Sequence, residues 1–205
     1  MNKKFFFDFV RKELFSNSIS QSQVDGLDFI LDYWLSQKEI TDIKQFAYIL
    51  GTIHHETGAT MQPIEEWGRG KGKKYGKNLK IDGKPYLDKF HIYYGRGFTQ
   101  NTWYNIYEKL TKANNRGWNF LDFPELLLSH EPSAWATFYS MRTGLYTGRK
   151  LSDYDFFNDK IIQNNPKLPL FGLPLWYYGR KIVNALDKAE HIANISRIYL
   201  KALTA

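Results

Sequence analysis

The segment from Thr41 to Glu56 constrains this chain most. Thr41-Asp42 is a helix-opening pair. Ile43, Phe46, Ala47, Leu50 and Ile53 then recur at threes and fours, the spacing of one helix face. So continuous an apolar stripe folds only if other elements cover it. The same spacing runs through residues 5–15 and through 22–36, where Val24, Leu27, Ile30, Leu31 and Trp34 carry it. Helical patterns resume at 102–113 and 132–146. Residues 176–203 supply one or two last helices with Ile182, Val183, Leu186, Ala189, Ile192 and Ala193 inward. The chain is therefore expected to be mainly α. Its 205 residues suit one domain spanning 1–205, long enough to bury a core without metal or disulfide help.

Two stretches break the pattern. Residues 68–92 gather Gly, Lys, Pro and Asp around Tyr75, Tyr86 and Phe90, which predicts a long loop with at most a short hairpin. A loop of that length in a compact domain is usually functional, here as the wall of a cleft. A Pro- and Asn-containing connection covers 158–174.

Composition narrows the chemistry. The absence of cysteine removes disulfides, thiolate zinc sites and cysteine nucleophiles. Lys and Arg number 28 against 21 Asp and Glu, and the net charge of +7 favours an anionic partner: nucleic acid, a membrane surface or an acidic cell wall. Aromatic residues make up 17% of the chain, enough to fill a core and also to offer platforms for sugar rings or bases. No apolar run is long enough to span a bilayer. The start, Met1 to Phe7, resembles a signal peptide only briefly. Asp8 and Arg11 interrupt it and no small-residue cleavage site follows, so it reads as an amphipathic helix without an export address.

Carboxylates next to polar and aromatic residues carry the strongest chemical signal. Glu56 falls at the end of the apolar stripe, at the rim of the predicted core, where an apolar wall can raise the pKa of a general acid. Glu65 and Glu66 follow, close enough for a helix end and a turn to set one of them roughly 6.5–9.5 Å from Glu56, the separation an inverting glycosidase needs. Taken alone, each of these glutamates reads more readily as a solvated surface charge than as a catalytic group. In Tyr93-Tyr94-Gly95-Arg96-Gly97, stacking rings, permissive glycines and a fixed cation come together. Gln100, Thr102 and Asn105 then add neutral groups suited to sugar hydroxyls, N-acetyl groups or a water. The blander reading is a structural turn around an internal Arg96, and the two are compatible.

Other motifs fail their tests. His54-His55-Glu56 lacks the second His of the helical zinc motif, because Ala59 stands there, and His54 reads as a hydrogen-bonded core residue. The run Gly68-Arg69-Gly70-Lys71-Gly72-Lys73-Lys74 lacks the Lys-Ser/Thr ending of a phosphate loop. It reads as a solvated loop or as a contact for an acidic polymer. No strand–turn–helix elbow supports a serine nucleophile.

At these residues the chain resembles glycoside hydrolase family 19, the chitinase-like group that includes many phage endolysins. The likeness runs along essentially the whole chain. Its most specific parts are His55-Glu56-Thr57-Gly58 and Tyr93-Tyr94-Gly95-Arg96-Gly97 continuing to Gln100, Thr102 and Trp103. Thr60-Met61-Gln62-Pro63-Ile64 leading into Glu66, and Arg180-Lys181-Ile182-Val183-Asn184, add to it. The resemblance implies a lysozyme-like, two-lobed helical fold with a central cleft, and an inverting mechanism with no cofactor and no metal. It matches Glu56 to the general acid, Glu66 in preference to Glu65 to the general base, and Thr102 to the residue that holds the attacking water. It matches Gln100 and Asn184 to sugar-binding positions and Arg96 to a structural or electrostatic support; Tyr94, Arg96, Trp103 and Asn105 join them as candidate substrate contacts.

The chain departs from the family pattern at Ile106-Tyr107, where Asn105 comes one residue early, at Asn184-Ala185, and at Phe98-Thr99. None of these removes a proton donor or acceptor. The expected activity is hydrolysis of β-1,4 bonds between amino sugars of peptidoglycan. The expected partners are glycan strands, with contact to an anionic outer-membrane surface and none to nucleic acid, for a monomer reaching the periplasmic wall after holin-type release or injection. The rival readings are a chitinase and a non-catalytic cationic wall-binding module.

Overall fold

A computed structural model describes residues 1–73, 75, 80–81, 84–85, 93–154, 156 and 175–205. Helix α1 covers Lys3–Leu14, α2 Gln21–Ser36 and α3 Ile43–Glu56. Then come α4 (Tyr104–Ala113), α5 (His130–Thr143), the single turn α6 (Leu175–Tyr178) and α7 (Ala189–Thr204). The chain is mainly helical, as its periodicity predicts. The connection at 158–174 lies outside the described residues, as does most of 74–92.

Local chemistry starts these helices where they start. Asn2 caps α1 through Phe5 N–H, and Ser20 forms a reciprocal capping box with Gln23 at α2. Asp42 caps α3 by accepting from Lys44 N–H. Every residue of α3 from Phe46 to His54 is buried, so this helix is the axis of the core and not an edge of it.

Helix α7 lies so closely against α3 that a Cβ at Gly51 would collide with Ser196. Across the same contact His54 Nδ1 meets the Tyr199 hydroxyl at 3.0 Å. This is the core position expected of His54. The main apolar cluster gathers around these helices, with Phe6, Leu27, Phe46, Leu50 and Ile192 among its members. A second cluster of Tyr93, Ile106, Tyr107, Leu110, Phe120, Leu127 and Ala136 packs separately around α4. Helix α5 serves both, giving Ala134, Phe138 and Met141 to the first and Ala136 to the second.

Four short strands are present among the described residues. Strands β2 (Lys80–Ile81) and β3 (Lys84–Pro85) form a small antiparallel hairpin within the predicted loop. Strand β1 (Ile64–Glu65) pairs antiparallel with β4 (Arg96–Gly97), with Ile64 opposite Gly97 and Glu65 opposite Arg96. This second pairing has no counterpart in the sequence reading. Two-residue strands carry no periodic signal, yet this one ties the acidic pair to the Tyr-Tyr-Gly-Arg-Gly segment.

Burial, aided by the nearby His191 and His55, lowers the His54 pKa to about 4, against an unfolded value of 6.5. The unfolded chain therefore takes up this proton first as pH falls. Stability from this site is complete above about pH 6.5 and declines toward pH 4, by on the order of 3 kcal/mol. Urea unfolding across that range should show the decline, and His54→Gln should flatten it while keeping a hydrogen-bonding group.

Candidate active site

Glu56 is the last residue of α3. There the helix is closed by Thr57, whose hydroxyl bonds back to Ile53 C=O and receives Met61 N–H. The chain then reverses through Gly58 and Ala59, both at positive φ. A carboxylate at a helix C-terminus faces the negative end of the helix dipole and needs a cation. His55 does not provide one, because burial lowers its pKa below the ordinary histidine value. Arg180 does. Its Nη1 donates to Glu56 Oε1 at 2.5 Å, with the Arg180 side chain 4% exposed and that of Glu56 16%. Arg180 Nε donates in turn to Asp187 C=O at 3.1 Å.

Beside Glu56 opens a hollow of about 600 Å³. Glu56 and Asn184 border it together with Gln100, Thr102, Trp103 and Asn105. The helix end, the segment after β4 and the segment after Arg180 thus converge on one space. The rest of the lining is Thr99, Ile106, Tyr146 and Val183. Below it the Tyr146 hydroxyl donates to Asn101 Oδ1 at 2.8 Å and shares a 2.7 Å hydrogen bond with Thr99 Oγ1.

The backbone of this wall is held in unusual conformations. Gln100 has φ 51° and Trp103 φ 77°, a region that L residues with a Cβ avoid. Gln100 is fixed by its amide nitrogen, which donates to Ile64 and Gly97 C=O. Trp103 N–H donates to Tyr93 C=O, and the residue is 43% exposed. Strain of this kind persists where the surroundings over-determine it, and such places are often ligand sites.

Glu66 does not border the hollow but is joined to it. Its Oε2 accepts from Gly95 N–H at 3.1 Å, its own N–H donates to Gly95 C=O at 2.7 Å, and its Oε1 accepts from the Tyr75 hydroxyl at 2.6 Å. The Tyr75 ring meets Trp103 edge-on at 5.1 Å. A Cβ at Gly95 would come within 2.7 Å of Gln100 Oε1 and 3.3 Å of Thr102 Oγ1, so Glu66 and Thr102 both adjoin one glycine.

Glu65 faces other partners. Its Oε1 takes Arg69 Nη2 at 2.7 Å and Nε at 3.0 Å, and its Oε2 takes the Tyr94 hydroxyl at 2.9 Å. Burial pushes its carboxyl up, but the Tyr94 hydroxyl and the Arg69 guanidinium outweigh that and hold it below the ordinary value. Arg96 is 4% exposed. Its guanidinium lies over the Tyr94 ring at 3.5 Å and donates to the Tyr107 hydroxyl at 3.0 Å. Tyr94 and Arg96 therefore support the segment from within and do not border the hollow.

The sequence reading did not single out Arg180, Tyr75 or Tyr146 as site residues. Arg180 could have been found as the head of the Arg-Lys-Ile-Val-Asn segment. Tyr75 stood out only as a ring in the polar loop, and nothing marked Tyr146. Comparison of the chain with protein-family models, with curated proteins and with solved structures gave no match.

Removing one partner of a buried ion pair strands the other. Arg180→Met should lower the unfolding free energy by about 3 kcal/mol. In a Glu56→Gln background the same change should cost far less, a coupling that denaturant titration of the four proteins would measure. Gly95→Ala should push the Gln100 amide off Ile64 C=O, a displacement that the side-chain amide signals of Gln100 in NMR spectra would show.

Proposed function

We propose that this protein is a muralytic glycoside hydrolase of lysozyme-like, two-lobed architecture, cutting β-1,4 bonds between amino sugars of peptidoglycan with inversion. One observation carries the reading. A carboxylate and a hydroxyl, Glu56 and Thr102, border one hollow, and a second carboxylate, Glu66, is fixed one glycine away from Thr102. Two carboxylates, one to protonate the leaving oxygen and one to activate a water, are the parts of an inverting glycosidase. The two apolar clusters on either side of α5 support the two-lobed reading, with the hollow as its cleft.

In this mechanism Glu56 protonates the departing glycosidic oxygen. Arg180 occupies Oε1, and Oε2 has no hydrogen-bond partner among the described residues, so the transferred proton sits on Oε2. Glu66 takes a proton from water on the opposite face of the sugar. The Thr102 hydroxyl already donates to Gln100 C=O at 2.8 Å, which leaves its lone pairs to accept from that water. A water donating to both Glu66 and Thr102 turns its own lone pair toward the anomeric carbon. Glu65 is the poorer base, because a depressed pKa weakens proton abstraction.

Trp103 offers a ring face to a sugar, and Gln100, Asn105 and Asn184 offer amides to its hydroxyl and N-acetyl groups. The substrate is the glycan strand of the wall, reached in the periplasm after holin-type release or injection. Among the described residues no helix is long and apolar enough to cross a membrane.

Clearing of purified peptidoglycan, with product ends identified by mass spectrometry, tests this. Wild type should release new reducing ends. Glu56→Gln keeps the acceptor for Arg180 but has no proton to give, and turnover should fall roughly 10²–10⁴-fold. Glu66→Gln should fall comparably, and Glu65→Gln much less. Retained clearing by Glu56→Gln overturns the assignment.

A further inference from the structure

The turn that follows Glu66 is built unlike the rest of the surface. Trp67 is 100% exposed, whereas a tryptophan is normally among the more buried residues. Next to it Arg69, Lys71 and Lys73 are all exposed. The turn is nonetheless ordered by successive hydrogen bonds, Arg69 N–H to Glu66 C=O, Lys71 N–H to Gly68 C=O and Lys73 N–H to Gly70 C=O. Its base is pinned by the two-pronged contact of Arg69 with Glu65, which is itself held by Tyr94. Arg69 is thus committed, while Lys71 and Lys73 have no carboxylate partner among the described residues. A rigid projection displays an unpacked indole and two available ammonium groups, starting one residue from the proposed base.

We propose that the Trp67–Lys73 turn recognises the anionic peptide stems of the peptidoglycan strand, and so sets this site's preference for peptidoglycan over chitin. The inference rests on the hydrolase reading above for where the strand runs. Peptidoglycan carries peptides with free carboxylates on its lactyl ethers, and chitin carries no charge. Two ammonium groups beside a sugar-sized ring suit the first polymer, and on the second they have no counter-charge. The indole offers a face to a sugar or to the stem's apolar side chains.

The test uses co-sedimentation, so it does not depend on turnover. Glu56→Gln protein is mixed with purified sacculi, and separately with the same glycan after an amidase has removed its peptides and the lactyl carboxylates so freed have been capped as neutral methylamides. Lys71→Gln/Lys73→Gln should weaken binding to intact sacculi about three- to tenfold at low salt. The difference should close at high salt. Binding to the peptide-free glycan should not change, and Lys71→Arg/Lys73→Arg should bind like the parent. Trp67→Ala should weaken binding to intact sacculi as well.

Equal weakening on both glycans, or none on either, overturns the proposal. So does unchanged sacculus binding with lost binding to vesicles of phosphatidylglycerol, which would make the turn a lipid contact. If wild type cuts no glycan while the peptide-dependent pattern holds, the hydrolase reading fails and the recognition of stems stands.

Discussion

The ion pair between Arg180 and Glu56 is the interaction on which the rest of this architecture depends. It joins the end of α3 to a segment 124 residues further along the chain. Without it a carboxylate would sit largely buried against the negative end of a helix, an arrangement that folding opposes. With it, one Glu56 oxygen is occupied, and Val183 and Asn184 are brought round to complete the hollow. Burial of the neighbouring His54 and His55 keeps both rings neutral near pH 7, so Arg180 is the cation that this carboxylate meets.

A second constraint, smaller in extent, sets the other carboxylate. The two-residue pairing of β1 with β4 lays Glu65 and Glu66 along the glycine-rich segment. Tyr94 and Arg69 then divert Glu65, and Gly95 and Tyr75 hold Glu66. Adjacent glutamates thereby acquire different environments, the one anchoring a surface turn and the other standing next to Thr102. Burial, with Glu66 beside it, pushes the Tyr75 hydroxyl up to about 12, so it stays a neutral donor at neutral pH.

Much of this was legible in the residues, and the limits have physical causes. The α3 stripe is periodic, so its burial, the rim position of Glu56 and the core role of His54 could be read directly. Gln100, Thr102, Trp103, Asn105 and Asn184 were recognisable by type and motif, and they border one hollow with Glu56. The β1–β4 pairing was not legible, because two residues give no repeat to detect. Arg180 was visible as part of a motif but not as the partner of Glu56, since a contact over such a separation leaves no local mark. The Tyr146–Asn101–Thr99 network under the hollow joins residues far apart in the chain, each ordinary in its own neighbourhood.

The central claim is that a water activated at Glu66 attacks the face opposite the oxygen protonated by Glu56. Proton NMR of the new reducing ends, recorded in the first minutes of digestion before mutarotation, tests it most directly. The account predicts that the α anomer appears first from a β-linked strand. First appearance of the β anomer, or no new reducing end from a well-folded protein, would contradict it.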